Sequence, residues 1–190
     1  IDIDGFGSLR TVNGELRITD NVHLEGVDGF TSLNEISGDL LINANPSLTQ
    51  IDGFSELTTV EGDLLLTGVP ELVSDDGFAN LTTVGGDFTL RTCRMTTLDS
   101  LASLRTVGGT LSFGRCNPMM HPEYTSELTG ITNLVDLEQI GGSLIIWNQH
   151  HGLTEVSGLD SLTTIGGDLQ ISGYDIETLS GLGTLTSIGG

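Results

Sequence analysis

Apolar and polar residues alternate over short stretches that return along the whole chain. "ISGDLLI" from Ile36, "VEGDLLL" from Val60, "VGGDFTL" from Val84, "VGGTLSF" from Val107 and "IGGDLQI" from Ile165 are near copies of one phrase. Counted from the glycine in third place, position +2 reads Leu16, Leu40, Leu64, Phe88, Leu111, Leu144, Leu169. Position +4 reads Ile18, Ile42, Leu66, Leu90, Phe113, Ile146, Ile171, and the residue between varies. Period-two alternation predicts a short strand with both columns pointing inward. A second apolar group precedes each phrase at a spacing of three: Phe30, Leu33, Ile36, then Phe54, Leu57, Val60, then Phe78, Leu81, Val84. That spacing predicts a short extended or 3₁₀-like segment on the opposite side of a coil. "DGF" marks a turn before it and "GG" or "xG" a turn after it.

The marker glycines are Gly14, Gly38, Gly62, Gly86, Gly109, Gly142, Gly167 and Gly190, at steps of 24, 24, 24, 23, 33, 25 and 23 residues. A fixed period in the twenties predicts a solenoid, in which each coil buries the apolar side of its neighbour. The expectation is an all-β parallel helix of about eight coils, a single array over residues 1–190 with one inserted loop at about 117–127. The chain opens in mid-repeat at "IDIDGF" and stops at "IGG", which reads as a segment of a longer array. Position +7 holds Asn21, Asn45, Val69, Cys93 and Cys116. Asparagine there predicts a ladder to open backbone groups of adjacent turns. For the two cysteines, parallel in-register side chains favour buried thiols, with a disulfide as the alternative.

"LTTVGGDFTL", "LTTIGGDLQI" and "GDLLINANPSL" resemble the receptor L-domain repeat, a relative of the leucine-rich repeat found in growth-factor receptors, fungal cell-wall proteins and secreted bacterial arrays. The resemblance implies a right-handed β-helix and an extracellular or cell-surface, non-enzymatic recognition or adhesion role. The chain departs from the receptor domains in its regularity and its two cysteines.

Charge narrows the partners. The formal net charge is −20, and all six basic residues are arginines. Such a surface repels nucleic acid and anionic lipid, so neither is expected as a partner. No apolar run reaches membrane-spanning length, so no membrane insertion is expected. Position +1 reads Glu15, Asp39, Asp63, Asp87, Thr110, Ser143, Asp168. Stacked carboxylates repel one another unless screened. They are read either as acceptors for backbone N–H groups in the turn, the favoured reading, or as a calcium stripe at Asp39, Asp63 and Asp87. No cofactor motif is legible, and calcium is the one ion this column would suit. A second acidic column, Asp4, Asp28, Asp52, Asp76 and Asp99, reads as turn chemistry.

The candidate binding residues lie on the outward strand face and near the insertion. Trp147 stands outward at position +5, with Ile145 two residues before it, and Leu41 and Leu65 share the column of Ile145. Trp147 reads either as a contact for a protein or glycan, or as an indole covered by the insertion. The insertion "CNPMMHPEYTSEL" brings His121 toward the end of the coil that carries His150 and His151. The better reading is a loop packed on its neighbour, with copper or zinc as the alternative. Arg91, Arg94, Arg105 and Arg115 cluster before the insertion, to pair with Asp87 and Asp99 or to meet an anionic sugar. "NLT" at Asn80 is a glycosylation sequon.

Three functions are weighed. The first is recognition of a protein or glycan by the exposed sheet face. The second is a stalk or fibre built by head-to-tail self-association. The third is a calcium-dependent polysaccharide lyase in which Asp87 and Arg91 would act. A single modest loop and the lack of any nucleophile, zinc-hydrolase or phosphate-loop motif disfavour an enzyme.

Overall fold

The computed structural model describes residues 1–115, 127–148, 152–173 and 175–190. It is an all-β parallel solenoid whose coils have three sides. One side is a seven-stranded sheet: Leu16–Thr19, Leu40–Asn43, Leu64–Thr67, Phe88–Thr92, Leu111–Arg115, Leu144–Asn148 and Leu169–Gly173, stacked in chain order. These are the alternating phrases, and the period places identical positions side by side, as in Leu40↔Leu64 and Ile42↔Leu66. Leu40, Ile42, Leu64, Leu66, Phe88, Leu111, Leu144 and Ile146 are all buried. Their neighbours in the strand face outward, as period two requires.

The second side is a sheet of eight two-residue strands, from Thr11–Val12 to Ser187–Ile188. Its inward residues include Ile36, Val60, Val84, Val107 and Ile140. Between this sheet and the third side lies the tight turn that the spacing of three predicts. Leu33 N–H donates to Phe30 O, Leu57 to Phe54, Leu81 to Phe78 and Leu104 to Leu101, each an i to i+3 bond of 2.9–3.1 Å. In three coils the turn is a full 3₁₀ helix, Asp76–Phe78, Asp99–Leu101 and Ser180–Leu182.

The third side carries Asp2–Ile3, Gly26–Val27 and Gln50–Ile51, then Gly130–Ile131 and Glu155–Val156. It lapses where Asp75 and Leu98 precede the 3₁₀ helices, because their ψ of 26° and 41° takes them out of extended backbone. This side was not legible as a strand, since it is too short to show alternation.

Packing between coils follows from repetition. Phe6, Phe30, Phe54 and Phe78 stack at centroid separations of 4.9, 5.1 and 5.6 Å with nearly parallel rings. The marker glycine is required by the stacking itself. A Cβ on Gly62 would fall on Asp39 Oδ1 and lie 2.7 Å from the Gly38 carbonyl carbon. The expected asparagine ladder is present: fully buried Asn45 accepts at Oδ1 from Asn21 N–H (3.0 Å) and Nδ2 (3.1 Å) and donates to Ile18 O (2.8 Å).

Two expectations need correction. The solenoid has about seven turns rather than eight, as the seven-stranded sheet counts them. Cys93 is buried and disulfide-bonded rather than a free thiol. The composition offers one partner, Cys116, which lies outside the described residues. The physical reason lies in the register. Thr92 pairs with Arg115, so both cysteines directly follow partners in one ladder. Adjacent strands are ~4.8 Å apart, inside the disulfide window.

Candidate functional site

The outward face of the seven-stranded sheet presents three columns. At position +1 the carboxylates are structural acceptors. Asp39 Oδ1 accepts from Asp63 N–H at 2.8 Å, Asp63 Oδ1 from Asp87 N–H at 2.7 Å, and Asp87 Oδ1 from Thr110 N–H at 2.6 Å. Hydroxyls continue the ladder: Thr110 Oγ1 accepts from Ser143 N–H, and Ser143 Oγ from Asp168 N–H. Each bond joins one coil to the next. Among the described residues no group of three or more His, Cys, Asp or Glu side chains is placed to hold a metal ion. The ladder also engages Asp87 Oδ1 with the Thr110 amide.

At position +3 the register aligns Arg17, Leu41, Leu65, Thr89, Ser112, Ile145 and Gln170. Leu41, Leu65 and Ile145 are half-buried. At position +5, Arg91 aligns with Gly114 and Gly114 with Trp147. Trp147 is 53 % exposed, so its indole meets solvent. Arg91 is exposed, and its Cγ, Nε and Cδ lie 3.6–4.0 Å from where a Gly114 Cβ would sit. The arginine stem therefore runs over the glycine, with Trp147 on the far side. The structure brings Arg91, Trp147 and Ile145 together, while Leu41 and Leu65 form a separate apolar stretch toward the first coils. His121, His150 and His151 lie outside the described residues.

Of the clustered arginines, Arg94 and Arg105 are paired, though not with Asp87 or Asp99 as expected. Arg94 meets Glu71 at 2.7 Å, and Arg105 meets Asp136 at 3.2 Å and Glu138 at 3.4 Å. Asp99 instead accepts from Thr97 Oγ1 and Asn133 Nδ2. Asn80 of the sequon donates from Nδ2 to Ser55 O at 2.7 Å.

Two residues were missed. Gly114 is visible as a glycine inside a strand, which signals a place where something approaches the backbone closely. Asp75 is visible as the extra acid in "DDGF". The Gln50–Ser74 bridge sets a register that puts Asp75 beside inward Ile51. It is 5 % exposed, and desolvation pushes its carboxyl up to about 6. The nearby Ser100 hydroxyl draws the value down, although its Oγ meets no partner at hydrogen-bond geometry, and the charges of Asp76 and Asp99 add to the rise. Asp52 is also raised, first by burial and then by Asp28 and Asp76.

Regular parallel coils are what the L-domain resemblance implies, and comparison with known families finds a match in the first coils. Residues 10–73 match the receptor L domain. The matched segment holds the first three marker phrases and the coils of Leu41 and Leu65. Arg91, Gly114 and Trp147 lie beyond it, on coils that continue the same register. No curated protein and no solved structure matches the chain. Receptor L domains are non-enzymatic ligand-binding modules of extracellular receptor regions. Among the described residues no helix is long and apolar enough to cross a membrane.

Proposed function

We propose that the chain is an extracellular, non-enzymatic recognition module that binds a protein or glycan through the outward face of its seven-stranded sheet. The observation that carries this is the half-exposed Trp147, the sole tryptophan, on a rigid sheet whose register holds it beside Gly114 and Arg91. An exposed indole on an ordered scaffold is costly to leave in water and gains more than most side chains when covered. The receptor L-domain match supports a binding role, and the disulfide at Cys93 supports an oxidising compartment.

The test is a binding screen against extracellular proteins and glycans, repeated with Trp147→Ala and Leu65→Glu. Ligands of this face should lose at least about tenfold in affinity in one or both variants, as for a central anchor of an interface. A ligand indifferent to both, but lost when exposed Thr163 on the eight-stranded side is replaced by arginine, would place recognition elsewhere.

A further inference from the structure

We infer, resting on the reading above, that the Arg91–Gly114–Trp147 row binds an oligosaccharide carrying one carboxylated sugar beside a neutral pyranose. The first support is electrostatic. In a chain of net charge −20, Arg17, Arg94 and Arg105 are held by carboxylates, whereas exposed Arg10 and Arg91 have no ion pair among the described residues, and of these two Arg91 shares its row with the tryptophan. The register partners along the row, Leu65, Ser112, Gly114, Ile145 and Trp147, are uncharged. The adjoining column offers Thr89, Ser112 and Ile145, and the acidic ladder has given way to Thr110 and Ser143. An exposed arginine without an ion pair, in a row of uncharged partners, selects an anionic group, and the planar guanidinium fork matches a carboxylate in bidentate fashion.

The second support is shape. Gly114 adds no side chain between Arg91 and Trp147, so the Arg91 stem lies across it toward the indole, and the two α-carbons are two strand spacings apart, about 9.6 Å. That spacing suits an acidic sugar on the guanidinium and its neutral neighbour on the indole. The C–H face of the neutral ring lies flat on the electron-rich indole face, and the hydroxyls of Thr89 and Ser112 stand beside the row. One cation suits one anionic sugar. A nucleic acid would need several cations to displace its counterions.

The experiment is calorimetric titration of the oxidised protein with sialyllactose against lactose, and with a glucuronic-acid-bearing xylo-oligosaccharide against its unsubstituted counterpart. Singly sulfated lactose distinguishes carboxylate from sulfate. At least one carboxylated sugar should bind roughly tenfold tighter than its neutral partner, and Arg91→Ala should erase that preference. Trp147→Ala should weaken both members of the pair. Gly114→Ala adds a Cβ that meets the Arg91 stem at ordinary contact distance, so it should leave the thermal melt unchanged, while the bulkier Gly114→Val should push the stem aside and weaken binding of the carboxylated sugar. Equal affinity for charged and neutral sugars, an Arg91→Ala variant that keeps the preference, binding of the sulfated sugar alone, or no binding of any of these overturns the inference. A protein ligand lost in Trp147→Ala, with none of these sugars bound, overturns it while leaving the recognition reading standing.

Discussion

Asp75 occupies a core position that its neighbours fill with Ile51 and Leu98, and its charge is the strongest local conflict in the array. Burial pushes its carboxyl up to about 6, above the 3.8 of an ordinary aspartate. A group whose folded pKa is raised binds its proton more tightly when folded, so ionisation works against folding. Stability is therefore full below the unfolded value, falls as pH rises from about 4 to 6, and stays low above. The shift corresponds to up to about 3 kcal/mol. We expect Asp75→Asn to raise the urea midpoint at pH 8, with the gain vanishing by pH 4. An equal gain at both pH values would mean that charge burial is not the cause. The doubled acid of "DDGF" is plain in the sequence. Its inward direction is not, because a two-residue strand carries no alternation from which to read a face.

The individual strands are too short to be stable alone, and bonds between coils hold them. The Asp39–Asp63–Asp87 ladder shows how a column of like charges is tolerated: each carboxylate satisfies the backbone N–H of the next coil. The amide bond and the charge repulsion are separable. Asp63→Asn keeps an acceptor and removes a charge, so it should be neutral or stabilising at low salt. Asp63→Ala leaves the Asp87 N–H without its acceptor and should cost about 1 kcal/mol. Thermal melts of the two variants decide this, and an alanine variant as stable as the asparagine one would remove the ladder from the account. The aromatic column offers a second check. Phe54 lies between Phe30 and Phe78, while later coils use Leu101, Leu134 and Leu159 at the same place. Phe54→Leu should cost under about 1.5 kcal/mol, whereas Phe54→Ala should cost about 3–5 kcal/mol by leaving a cavity.

Over the whole molecule the net charge of −20 acts as diffuse self-repulsion. Salt should relieve it. Raising sodium chloride from about 10 mM to 150 mM shortens the screening length from about 30 to 8 Å and should raise the melting temperature. Calcium at matched ionic strength should add nothing further, since the stripe carboxylates are already engaged by amides. A calcium-specific rise at millimolar concentration would restore the metal reading.

The period, the inward columns and the i to i+3 turn were written in the sequence, because a solenoid repeats one local solution and every copy reports the same side-chain pattern. Gly62 and its counterparts were legible as markers, but the reason for them was not. The forbidden space at the Cβ of Gly62 and Gly86 is filled by Asp39 and Asp63 of the preceding coil, 23 residues away. Stacking decided the rest. It joined Asp39 to Asp63, put Cys93 next to its partner's ladder, turned Asp75 inward, and laid Arg91 over Gly114 beside Trp147. These are contacts between residues 23 to 33 positions apart. They exist only once coils lie in register, which is why a pattern read along the chain shows the columns but not what the columns do to one another.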